Sequence, residues 1–173
     1  VDADLLPYRV GFSIGDIPFL EAKALVADGT FKSISDTPQF ESAFDQLCST
    51  LNLWVRKTKC DSAILYSTKS NSNFRLDIAF TDCYKGQRVA EKPPFFNELK
   101  DAMTDALGCI LSDGIEADDN LSIEATRRTK LLGVVAGSIA HREFCDYVTA
   151  SSDKDSTITT GFHWNPDTYK MTW

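Results

Sequence analysis

Apolar positions recur along this chain in two rhythms. Phe40, Phe44, Leu47, Leu51 and Trp54 are three or four apart, which puts one apolar stripe along a long helix. Thr37 followed by Pro38 supplies an N-cap and a proline at the first helical position. A second helix is predicted over "PPFFNELKDAMTDALG" (93–108), opened by prolines and closed by Gly108. A third covers "ADDNLSIEATRRTK" (117–130). Short apolar runs read as strands: "SAILYS" (62–67), "CIL" (109–111) and "CDYVTAS" (145–151). At the end, "FHW" and "YKMTW" flank "NPDT" as a small hairpin.

Strands alternating with helices predict an α/β fold: a three-layer domain around a mostly parallel central sheet. In such sheets ligands sit outside the carboxyl ends of the strands. The chain has 173 residues, 43% of them apolar, without repeats or low-complexity tracts, so residues 1–173 are expected to form one domain. No window approaches the ~20 apolar residues that span a bilayer, and no signal peptide is visible, so no membrane association is expected. The start at Val1 rather than Met reads as a trimmed chain. Five scattered cysteines without a C-x-x-C pair suit reduced thiols and a cytoplasmic location, the host's cytoplasm if the chain is phage-encoded. Two histidines are too few for the usual zinc sites.

The net charge of −7 excludes adhesion to nucleic acid through overall charge, but not an enzyme whose acids gather round metal ions. Three acidic groups follow strand-like segments: Asp2 and Asp4, then Glu116, Asp118 and Asp119, then Asp153 and Asp155. Each motif alone suits a helix start or a polar turn, where acids meet the helix dipole. A parallel sheet would bring all three to one edge, where their repulsion calls for a hard cation such as Mg²⁺. Two ions there could activate water and stabilise a leaving oxygen. A basic counterpart lies in "NFRLDIAFTDCYKGQRVAEKPP" (73–94), with Arg75, Lys85, Arg88 and Lys92, and with Phe74 and Tyr84 beside two of them. Cations suit phosphodiester oxygens and aromatics suit unpaired bases.

The motifs "VDADLLPYR", "NFR…YKGQR", "GIEADD" and "SSDKD…GFHWN" occur in the order seen in the bacteriophage 5′–3′ exonucleases, relatives of flap endonucleases and of the 5′-nuclease domain of bacterial DNA polymerase I. The resemblance runs from Asp2 to about Asn165. It implies a PIN-like fold with a helical arch, and hydrolysis of DNA at a 5′ end or 5′ flap with two Mg²⁺ or Mn²⁺ ions in the complete protein. By the same resemblance Asp2, Glu116, Asp118, Asp119, Asp153 and Asp155 would hold the metals. Lys85 and Arg88 would act on the scissile phosphate, with Arg75, Tyr84 and Lys92 binding DNA. Asp4 and Thr68 would touch the ligands rather than the ions.

Three departures accompany this likeness. Thr68 stands about where many members carry an acidic ligand, and Ser156 where many place Leu. The chain also ends at Trp173, ahead of any G-D-x-x-D-N element or helix-hairpin-helix, which reads as a fragment of a longer protein. Two rivals follow. One is a non-catalytic DNA-end-binding module of the same fold. The other is a haloacid-dehalogenase-type phosphatase, suggested by "DAD" but opposed by Leu6 where those enzymes carry Thr.

Overall fold

The computed structural model describes residues 1–73 and 91–173. Among them helices dominate: α1 (Leu5–Ile14), α2 (Asp16–Ala27), α3 (Pro38–Thr58), α4 (Phe96–Leu107), α5 (Ala117–Leu131) and α6 (Ile139–Phe144). The strands are β1 (Tyr66–Asn73), β2 (Ile110–Gly114), β3 (Val148–Ala150), β4 (Phe162–Asn165) and β5 (Lys170–Thr172). The protein is therefore mixed α/β with small sheets.

The long predicted helix is α3. Thr37 caps it, its hydroxyl accepting the Phe40 amide at 3.3 Å, and Phe40, Leu47 and Trp54 are buried along its stripe. The 93–108 helix begins only at Phe96, because Phe95 adopts a left-handed conformation (φ 58°) and breaks the entry. Such a backbone costs a bulky residue on the order of 1–2 kcal/mol. The fully buried Phe95 ring offsets it by packing on Phe19 and Phe40, with centroids 5.0 and 6.1 Å away.

β1 and β2 pair in parallel, Tyr66 beside Ile110 and Thr68 beside Ser112. β3 and β4 also pair in parallel, and β5 closes the predicted hairpin antiparallel to β4. Between these two sheets run residues 1–3. Tyr66 N donates to Val1 O at 3.0 Å, Ala3 N to Tyr66 O at 2.8 Å, and Asp2 N to Ala150 O at 2.8 Å. Three strand boundaries differ from the sequence expectation. β1 begins at Tyr66 rather than Ser62 and continues through the polar run to Asn73. β2 starts one residue late, at Ile110. In "CDYVTAS" only Val148–Ala150 pair; Tyr147 is held outside the ladder, its hydroxyl donating to Thr160 O at 2.9 Å.

Side chains alternate at the start of β1. Leu65, just before it, joins the core and Ser67 meets Asp4, whereas Thr68 turns to the start of α5. Helices α1, α3 and α4 pack on one another around Leu6, Val10, Leu47, Trp54, Leu99 and Met103. α5 covers the other face of β1. No helix among the described residues is long and apolar enough to cross a membrane.

Gly11, inside α1, presses directly on the prolines before α4. A Cβ built there would stand 2.4 Å from Pro94 O and 2.8 Å from Pro93 Cβ. Helix propensity alone favours Ala over Gly by about 1 kcal/mol. The clash with a backbone oxygen outweighs it, so Gly11→Ala should destabilise the fold by about 1–3 kcal/mol in urea unfolding. A more stable variant would show that the α1–α4 contact yields freely.

Candidate active site

The carboxyl ends of the strands carry a continuous polar rim. Asp2, 9% exposed, lies at its centre. Its Oδ2 accepts Ser151 Oγ at 3.1 Å and its Oδ1 the Asp4 amide at 3.3 Å. Ser151 Oγ in turn accepts the Asp153 amide at 3.1 Å, which fastens the third acidic segment to the first. Burial pushes the Asp2 carboxyl up to about 6, the nearby charge of Asp4 adds to this, and the Ser151 hydrogen bond opposes it.

Asp4 is held differently. Ser67 Oγ donates to its Oδ1 at 2.6 Å, the Thr68 amide reaches both oxygens at 3.2 and 3.0 Å, and Lys100 Nζ lies 3.4 Å from Oδ1. Lys100 Nζ also bonds to Thr68 O. Thr68 Oγ1 then accepts the Ala117 amide at 3.0 Å, so the first turn of α5 is pinned to the end of β1. On the next strand Ser112 Oγ accepts Asn120 Nδ2 at 2.7 Å, a second tie to the same helix.

The acids of "EADD" shape that first turn. Glu116 is the N-cap, and it and Asp119 form a capping box, with the Glu116 amide donating to Asp119 Oδ2 at 3.1 Å. Asp118 Oδ1 accepts the Asp119 amide at 2.9 Å. All three side chains are half-buried. Asp153 and Asp155 are exposed on the short 3-10 helix Lys154–Ile158, which packs against α5; Asp153 caps it by accepting the Asp155 amide at 2.9 Å.

The rim thus gathers Asp2, Asp4, Thr68, Ser151 and Asp153 through direct hydrogen bonds and places the EADD turn beside them. Lys92 is exposed, its Nζ 3.1 Å from Asn97 Oδ1 and 5.1 Å from the centre of the Phe96 ring. Arg75, Tyr84, Lys85 and Arg88 lie outside the described residues. Ser67, Ser112, Ser151, Asn120 and Lys100 were not singled out from sequence. The available signal was that apolar strand runs end in hydroxyl residues: "YST", "ILS" and "TASS".

The donors on the rim are oxygens, which suit a hard divalent cation. Among the described residues no group of three or more His, Cys, Asp or Glu is arranged so that it could hold a metal ion. Mg²⁺ retains several waters and takes one or two carboxylates, so its chemistry does not require such a cage. Neither histidine stands among these acids. Buried His141 accepts the Gly137 amide at Nδ1, which places its proton on Nε2, near Thr129 Oγ1 (3.1 Å) and Tyr147 OH (3.3 Å). His163 donates from Nε2 to Thr159 O at 2.6 Å.

Because the folded Asp2 value exceeds the unfolded one, the native state keeps a proton that the unfolded chain has lost between about pH 4 and pH 6. Stability of the metal-free protein should fall as pH rises through that window, by at most about 3 kcal/mol from this group. Asp2→Asn should remove the effect, so its stability relative to wild type in urea should improve between pH 4.5 and pH 7.5. A difference independent of pH would contradict it.

Comparison with protein-family models, with curated proteins and with solved structures finds no match to this chain.

Proposed function

We propose that the protein is a Mg²⁺- or Mn²⁺-dependent 5′–3′ deoxyribonuclease, an exonuclease or flap endonuclease, acting on DNA with a free 5′ end or a 5′ flap. One observation carries this above the rest. Asp2 is tied through Ser151 to Asp153, and Asp4 through Thr68 to the EADD turn, so acids far apart in sequence border one edge of the strands. The motif resemblance supports the same assignment. Residues 1–3 run parallel to β1 at Asp2 and Tyr66 and bond to β3 through Asp2 N and Ala150 O, which sets the two small sheets side by side, in keeping with a three-layer PIN-like fold.

Asp2, Glu116, Asp118, Asp119, Asp153 and Asp155 would hold the cations. Bound there, divalent cations supply Lewis-acid stabilisation of phosphate oxygens and lower the pKa of water. The protein's own share is placement. Ser151 orients Asp2, and Thr68 and Ser112 fix the start of α5. Lys85 and Arg88 would draw in the scissile phosphate, Tyr84 would stack on the terminal base, and Arg75 and Lys92 would flank the strand.

A non-catalytic DNA-end-binding module is the second reading, favoured by the lack of a closed three-acid group among the described residues. A 5′-labelled flap substrate separates the two. Cleavage with Mg²⁺ or Mn²⁺ that stops on chelation is expected; binding without any metal-dependent product would favour the module. Asp118→Asn should lower cleavage by at least about 100-fold while leaving the melting temperature nearly unchanged. Cleavage at the parent rate would overturn the assignment. Lys85→Ala should slow single-turnover cleavage more than it weakens DNA binding; the reverse would make Lys85 only an anchor.

A further inference from the structure

We propose that Lys100 is a resident counter-ion of the acidic rim: it pairs with Asp4 and thereby lowers the rim's affinity for divalent cations. This rests on the metal-dependent reading above and adds a residue that sets how tightly the cations are held.

An ionised carboxylate offers about four lone-pair sites. Asp4 meets four protein contacts: Ser67 Oγ, the Thr68 amide on each oxygen, and Lys100 Nζ. Three of these fall on Oδ1 and one on Oδ2, so Oδ1 is saturated by the protein's own donors while Oδ2 has only the shared Thr68 amide. The Lys100 ammonium is itself held twice, by Asp4 and by Thr68 O, and its side chain is only 16% exposed. Asp2, the adjacent acid, accepts from Ser151 Oγ and the Asp4 amide, and among the described residues no side-chain ammonium or guanidinium pairs with it; the Val1 ammonium acts on it only as a nearby charge. The two acids nearest the end of β1 are therefore treated unequally, one paired with a side-chain ammonium and the other meeting positive charge only from the Val1 terminus among the described residues.

A lysine inside a site that recruits cations by charge weakens that recruitment. The geometry gives it a compensating use. By bridging Asp4 and Thr68 O it helps hold that carboxylate on Ser67 and Thr68, and Thr68 sets the position of the EADD turn. Lys100 is thus a positioning residue acting through Asp4 and Thr68.

The test reads Mn²⁺ affinity by titration calorimetry on the whole chain at pH 7.5 and low salt, with melting temperature as a folding control. Lys100→Met should tighten Mn²⁺ binding by about 10-fold, because one positive charge leaves the rim. Asp4→Asn should weaken it by a similar factor, because Lys100 is then uncompensated. The double variant should return close to wild type, and Lys100→Arg should match wild type throughout. Should Lys100→Met fail to fold, Lys100→Gln carries the same expectation. Affinity that is unchanged or weaker in the neutral variants overturns the counter-ion role while leaving the nuclease assignment standing. A wild-type chain that binds no Mn²⁺ overturns both.

Discussion

Three residues at the start of the chain tie the sheet region together. Val1, Asp2 and Ala3 lie between β1 and β3, and their backbone groups bond to Tyr66 on one side and to Ala150 on the other. No other described segment bridges the two sheets in this way. The side chain in the middle of this tie is a carboxylate, and the tie brings it to the rim where β1 and β3 end. Burial there makes Asp2 costly to ionise, and burial is also what makes a cation beside it worth most.

The surrounding polar groups are arranged in response to that cost. Buried or half-buried hydroxyls end the apolar strand runs, and each takes a specific partner: Ser67 with Asp4, Thr68 with Ala117, Ser112 with Asn120, Ser151 with Asp2. Buried polar groups left unpaired cost about 1–3 kcal/mol each, so such pairings fix the geometry as well as satisfying the atoms. Together they hold the first turn of α5 and the Asp153 turn against the strand ends. Lys100 adds the one described ammonium within bonding reach of the inner acids, while Asp2 is left without one.

Much of this was legible in the chain, for identifiable reasons. The α3 stripe from Phe40 to Trp54 shows because a long amphipathic helix repeats its signal over many turns. The closing hairpin shows because turn residues stand between two aromatic-rich runs. β1 was misplaced because its ladder is made by backbone groups over "STKSNSN", which carries no apolar alternation. α1 and α2 went unread: Asp2 and Asp4 are expected from sequence to follow a strand, and no element is predicted over Leu5–Ile14 or Asp16–Ala27. The EADD turn illustrates a deeper limit. A capping box and a ligand set use the same residues at the same spacing, so only the partners reveal what each carboxylate does. Lys100 was invisible for a similar reason: a lysine on a helix has no marked pattern until its ammonium is seen on Asp4.

The central claim concerns location: acids from three parts of the chain share divalent ions at one rim of the strands. Sub-stoichiometric Mn²⁺ added to isotope-labelled protein tests it directly, because the paramagnetic ion broadens only nearby amide signals. The account predicts early, selective loss at Asp2, Asp4, Thr68, Ala117, Asp118, Ser151 and Asp153, with Asp61, Glu124 and Asp146 retained. Broadening centred on that second set, or spread evenly over the exposed acids, would contradict it.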